Sequence, residues 1–201
     1  MESPALYRTI RHQIADKLRA DVLSGHLPAG TQLREKALAD RFSVSRGPIR
    51  DSLLQLTHEG LLVSKPNCGV MVGQTLCERI QPMVVQLRRQ IEAHAVELLF
   101  QDKIDIVPAL DEACDQLRIA CEANDMSSVV QYDMAFHRCI VEGSGGEEMV
   151  AIWLPIVTRM MLHYTRHKEL IESYGEHVAI VEAIRKGNKK QAKRALERNI
   201  Q

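Results

Sequence analysis

From Leu76 to Gln201 the apolar residues recur at helical spacing, and nothing alternates in the manner of a strand. This confines the larger part of the chain to helices packed on helices. The pattern predicts helices over 77–101, 104–123, 126–142, 147–171, 174–186 and 189–201. The expected breaks fall at Asp102, Asn124-Asp125, Gly143-Ser144-Gly145-Gly146, Tyr174-Gly175 and Gly187-Asn188. Amphipathic helices with short connections make an antiparallel bundle.

The first 75 residues read differently. A helix from Tyr7 to about Ser24 buries Ile10, Ile14, Leu18 and Val22, and Gly25 stands where a helix-ending glycine belongs. The segment HLPAGTQL reads as a loop broken by Pro28 and Gly30. A second helix covers Arg34–Phe42, with Leu38 and Phe42 inward. The turn Ser43-Val44-Ser45 leads to a third helix that starts near Ser45 or Arg46, buries Ile49, Leu53 and Leu56, and ends at Gly60. Pro48 sits in its first turn, where no intrahelical hydrogen bond is forfeited. Leu61–Ser64 and Gly69–Val72 read as two short strands around Lys65-Pro66-Asn67-Cys68. The chain is therefore mainly α. Residues 1–75 form a helix-turn-helix with a small β-hairpin, a winged reader, and 76–201 form an all-α bundle.

Composition removes other classes. No apolar run approaches the roughly 18 residues of a membrane span. The N-terminus has no apolar core of a secretory signal, so the cytoplasm is the expected compartment. The five cysteines, an odd number with no CxxC pair, give no disulfide framework. Cys114 and Cys121 are expected as small buried hydrophobes. The net charge is zero, but residues 1–75 hold 10 Lys+Arg against 7 Asp+Glu, and the remainder 16 against 19. A mildly basic part joined to an acidic part fits two separate tasks.

A helix-turn-helix presents its second helix to the major groove, its N-terminal residues nearest the bases. Here that helix opens Ser45-Arg46-Gly47-Pro48-Ile49-Arg50. Arg46 and Arg50 share one face, and arginine can fork onto a guanine edge or clamp a phosphate. Ser45 can cap the helix or reach a phosphate, and Lys36 suits the backbone. Lys65 and Gly69 bound the tip of the wing. Taken singly, each of these charges is equally an ordinary solvated side chain.

The stretch VLSGHLPAGTQLREKALADRFSVSRGPIRDSLLQLTHEGLLVSKPNCGV resembles the winged helix-turn-helix of GntR-family bacterial regulators. Gly25, Pro28 to Gly30, Leu33, Glu35, Leu38-Ala39, Ser45-Arg46, Pro48, Arg50, Leu53, Leu56, Glu59-Gly60-Leu61 and Gly69 carry the likeness. The resemblance implies double-stranded operator DNA as partner, with Lys36, Arg46, Gly47, Arg50 and the wing near Gly69 at the contact. Asp51-Ser52 departs from the usual Glu-Ala. The bundle resembles the FCD domain of the FadR subfamily through Leu87-Arg88-x-x-Ile91-Glu92, Asp133-x-x-x-His137 and Glu176-His177, with GNKKQAKRALERN resembling its last helix.

Asp133 and His137 stand four apart on one helix and point the same way. A carboxylate with imidazoles suits Zn, Ni or Mn. By spacing alone such a pair is more often a helix-surface pair or a satisfied core contact; the resemblance implies a divalent metal held by Asp133, His137 and His177. In metal-binding members another histidine follows 22 residues after the Glu-His pair, and here Asn199 stands there, a weak fourth ligand or a neighbour of metal-bound water. Arg88 is expected to face a small carboxylate effector, its alternative being a surface salt bridge with Glu92. Arg159 and His163 are further candidates for that pocket, His163 with His167 making a second i, i+4 pair. The resemblance implies a homodimeric, ligand-responsive regulator, most commonly a repressor. Two rivals stand beside it: a metal-dependent hydrolase or lyase on the bundle, disfavoured because no HExxH, nucleophile motif or phosphate loop appears, and a structural DNA-binding protein with no ligand.

Overall fold

A computed structural model of the chain describes residues 9–65, 69–74, 76–162 and 169–201. They fall into two compact units, Met1–Gln74 and Thr75–Gln201.

In the first unit, α1 (Ile10–Leu23) is capped by Thr9, whose hydroxyl accepts from the His12 amide, and it stops at Gly25 in the left-handed region. The helix-turn-helix follows: α2 (Glu35–Phe42), a turn through left-handed Ser43, then α3 (Arg46–His58). Leu18, Ile49, Leu53, Leu56, Leu61 and Leu62 are fully buried and form the core. The structure adds a strand to the expected hairpin. Gln32–Leu33 forms β1 and pairs antiparallel with β3 (Gly69–Val72), which also pairs with β2 (Leu62–Lys65), giving the order β1-β3-β2. Two residues are too few to show alternation, so the segment read as loop. Arg19 forks onto Glu59 at 2.9 and 2.8 Å, tying α1 to the end of α3. The Ser52 departure is accommodated: its buried hydroxyl lies 2.9 Å from the Arg11 carbonyl and 2.8 Å from that of Pro48.

The second unit is all helical among the described residues: α4 (Gln81–Gln101), α5 (Val107–Glu122), α6 (Met126–Met161), α7 (Leu170–Arg185) and α8 (Lys189–Asn199). α6 packs on α4 and α5, α7 on α5 and α8, and α8 on α4. Phe136, Trp153, Leu110, Leu117, Ile140 and Ile180 fill the interior. Glu97 of α4 binds Lys189 and Lys193 of α8, and these ammonium groups hold its carboxyl at about 2.

One expected break is borne out and one is corrected. The run Gly143–Gly146 does interrupt the helical path: Gly146 takes non-helical angles (φ 59, ψ −154), and α6 is two helical arms joined across a kink there. Ile140 and Val141 before the kink and Val150 after it are buried, so both arms pack into the interior. Tyr174-Gly175 is no break; α7 runs through it from Leu170. The expected helix end near 171 crosses residues 163–168, outside the described residues. Cys114 and Cys121 are buried free thiols, and burial pushes Cys114 up to about 12, so neither is a reactive thiolate. No described helix is long and apolar enough to cross a membrane.

Candidate functional site

The interior face of α4 carries Val84, Arg88, Glu92, Ala95, Val96 and Leu99. Two charged residues thus stand in an apolar stripe, and both are buried. A buried charge is tolerated only when it is paired and hydrogen-bonded. Glu92 is heavily paired: Oε1 accepts from Arg88 Nε and from the Trp153 indole, each at 2.7 Å, and Oε2 lies 2.6 Å from His137 Nδ1. Burial pushes the Glu92 carboxyl up, but His137 and Arg88 pull it further down, to about 2. Burial also lowers His137, which Glu92 only partly offsets, so this imidazole is neutral.

Both histidines then present the same nitrogen. His137 Nδ1 faces a carboxylate, which can only accept, so the proton sits there and Nε2 is bare. His177 Nδ1 lies 2.7 Å from the Ser173 carbonyl, also an acceptor only, so its Nε2 is bare too. Both Nε2 atoms are buried without a hydrogen-bond partner, as are Asp133 Oδ2 and Arg88 Nη2. His177 Nε2 stands 3.3 Å from Asp133 Oδ1, and Arg88 Nη2 stands 4.0 Å from Asp133 Oδ2. Two acceptors facing each other across 3.3 Å require a cation between them. A proton would make His177 an imidazolium; a metal ion would serve all three groups at once. Ligand atoms of Asp133, His137 and His177 lie within 4.8 Å of one another, and bonds near 2 Å to one ion set neighbouring ligand atoms about 3–4 Å apart. A small closure of the side chains is all that an ion needs. Burial raises the Asp133 carboxyl, and His177, His137 and Arg88 outweigh that, leaving it ionised and well below its ordinary range.

One carboxylate and two imidazoles fit Zn, Ni or Mn and leave coordination positions over for water or an anion. Phe136 meets both imidazoles edge-on, with centroids 5.5 Å from His137 and 4.7 Å from His177, and fixes their planes. Of the other expected residues, Asn199 is buried but gives its amide to Glu176 Oε2 at 3.2 Å. Arg159 is exposed on α6, and the buried residue beside it is Thr158, whose hydroxyl has no partner. The expected surface salt bridge of Arg88 with Glu92 exists, but in the interior. His163 and His167 lie outside the described residues. Sequence reasoning missed Glu92, Trp153 and Ser173 as supports. The available signal was two charges inside the apolar stripe of α4.

In the first unit, Lys36, Ser45, Arg46, Gly47, Arg50, Lys65 and Gly69 are all exposed. Ser45 occupies the N-cap of α3 without making a side-chain cap bond, so its hydroxyl is uncommitted to the helix end. A Cβ on Gly47 would meet nothing within 4 Å, so packing within the chain does not demand glycine there. Arg50 reaches back to Glu35, Nε to Oε1 at 3.2 Å and Nη2 to Oε2 at 3.3 Å, and that contact lowers the Glu35 carboxyl.

Comparison with known proteins supplies the context. Residues 10–72 match the bacterial regulatory proteins of the gntR family, and residues 83–201 match the FCD domain. The chain belongs to the GntR family. Among curated relatives of this GntR-family chain, the gluconate operon transcriptional repressor of Bacillus licheniformis is 27% identical over 173 residues, 85% of this chain and 70% of the relative. The transcriptional repressor NanR of Escherichia coli K12 is 27% identical over 236 residues, covering 98% and 88%. Escherichia coli McbR/YncC shares the fold with a TM-score of 0.79 at 22% identity, covering 96% of this chain and 94% of that one. A putative GntR regulator from Rhodococcus sp. RHA1 does so at 0.75 and 20%, covering 94% and 93%. Such relatives are transcriptional regulators, and the hydrolase or lyase reading falls with that finding.

Proposed function

We propose that this GntR-family chain is a transcriptional repressor whose FCD domain senses a small organic acid on a divalent metal. It works in the cytoplasm as a homodimer, each protomer offering one recognition helix to a half-site. α3 enters the major groove with Arg46 and Arg50 toward the bases, Ser45 and Lys36 hold phosphates, and the bare surface at Gly47 admits the DNA backbone closely. Lys65 and Gly69 bring the wing to the minor groove. In the FCD domain, Asp133, His137 and His177 hold the metal, and Arg88 turns Nη2 toward the carboxylate that takes the open positions. Asn199, committed to Glu176, takes the outer place of a neighbour rather than of a ligand.

The observation that carries the sensing reading is the set of unpartnered buried atoms: two bare imidazole nitrogens, one carboxylate oxygen and one guanidinium nitrogen. Each is costly alone, and a metal with its anion satisfies all of them. That a relative is named for the gluconate operon, gluconate being a hydroxy-carboxylate, agrees with this chemistry.

The test has two arms. DNA sites are selected from a random pool, and Arg46→Ala and Arg50→Ala are compared with the parent chain. Each substitution should weaken specific binding about 5- to 150-fold, and an unchanged double variant refutes the placement of α3. Metal-stripped protein is then titrated with Zn(II), and the loaded protein with gluconate and other small carboxylates, while DNA release is followed. One site per chain, lost in Asp133→Ala and His177→Ala, is expected. Failure of Zn, Ni and Mn alike to bind refutes the metal centre.

A further inference from the structure

We propose that Glu92 is the positioning residue that holds His137 in its metal-binding tautomer. The inference rests on the metal centre proposed above and assigns the atom that makes it possible. Glu92 ligates nothing itself. Its carboxylate gathers three donors from separate stretches of chain: Arg88 one turn earlier on α4, His137 on α6 before the Gly146 bend, and Trp153 after it. The division of labour between its oxygens matters. Oε1 takes both Arg88 Nε–H and Trp153 Nε1–H, and Oε2 alone faces His137 Nδ1.

A neutral imidazole has one N–H to give. Because Oε2 can only accept, the proton is drawn to Nδ1 and the lone pair is left on Nε2, the atom that stands unpartnered beside Asp133 and His177. Histidine ligands are commonly fixed in this way by a carboxylate on the far nitrogen. The arrangement also explains why a carboxylate rather than an amide is needed. In Glu92→Gln the amide oxygen must occupy the Oε1 place, since two N–H groups already point there. The NH2 group then lands at Oε2 and donates to His137 Nδ1. The imidazole proton moves to Nε2, and the lone pair that would bind metal is gone, although no atom has changed size.

The experiment reads the tautomer directly, by long-range nitrogen–proton NMR of histidine-labelled, metal-free full-length protein, alongside Zn(II) titration of the same samples. The parent chain should show His137 protonated at Nδ1. Glu92→Gln should show it protonated at Nε2 and bind Zn(II) at least about 10–100-fold more weakly. Glu92→Asp retains a carboxylate and should keep the Nδ1–H form and recover part of the affinity. A Glu92→Gln protein that keeps the parent tautomer or the parent affinity overturns the assignment. If Glu92→Gln does not fold, Glu92→Asp decides, because an Nε2–H imidazole there contradicts control by the carboxylate. A parent chain that binds no metal refutes the metal centre, while the tautomer comparison still judges Glu92 on its own.

Discussion

Replacing Trp153 by Phe tests how much of the bundle's stability hangs on the polar cluster in its core. The indole is fully buried, and its N–H donates to an ionised Glu92 at 2.7 Å. A hydrogen bond to a charged group contributes about 1.5–3 kcal/mol, and the loss is felt at the upper end when the acceptor stays buried. The smaller ring also leaves a void, costing roughly 1 kcal/mol more if the neighbours close only partly. The sum is about 4 kcal/mol, which for a unit of this size lowers the melting temperature by roughly 15 °C. Urea unfolding followed by far-ultraviolet circular dichroism, on metal-free protein, measures it without the lost fluorophore. The midpoint should fall while the slope stays constant. A loss below about 1 kcal/mol would mean that Glu92 is satisfied without the indole, and the reasoning from its three donors would fail.

Two further outcomes follow from the same interior. A Cβ on Gly143 would lie 2.8 Å from Ile106 Cγ2 and 3.4 Å from Leu99 Cδ2; Gly143→Ala should therefore destabilise by about 1–2 kcal/mol in the same urea assay, overpacking outweighing the helix-propensity gain, and a stabilised variant would contradict the close approach. The depressed Glu92 carboxyl makes metal-free protein acid-sensitive: folding stability contributed by its ionised form is complete above about 4.5, the ordinary value, and is lost as pH falls toward about 2, where the folded group takes its proton. An acid titration in which Glu92→Gln loses as much stability across that window as the parent chain would show the loss to come from other groups.

The reading unit was largely legible because its punctuation is local. Gly25 ends α1, Pro48 is tolerated in the first turn of α3, and Gly60 ends the reading helix, each within a few residues of the element it governs. What escaped was β1, where two residues have no period to show. In the bundle, the glycine run ending at Gly146 marked a real kink, and Gly175 misled. A glycine in a helix costs about 1 kcal/mol against alanine, but burial of the flanking residues decides, so α7 continues through Gly175. The Asp133–His137 pair was visible from its spacing, and His177 only from the family resemblance. The role of Glu92 was invisible, because Trp153 lies 61 residues away and His137 45. No local pattern encodes which of two carboxylate oxygens a distant indole will take.

His177 is held otherwise than His137. Its Nδ1 leans on the carbonyl of Ser173, four residues back on its own helix. That contact comes from within its own helix, and the turn between the two residues holds it. Gly175 lies inside that turn, with open space where a Cβ would be. The backbone entropy that glycine surrenders on folding is therefore concentrated beneath the imidazole. One imidazole of the cluster is secured by a carboxylate from another helix, and the other by the geometry of a single turn of its own.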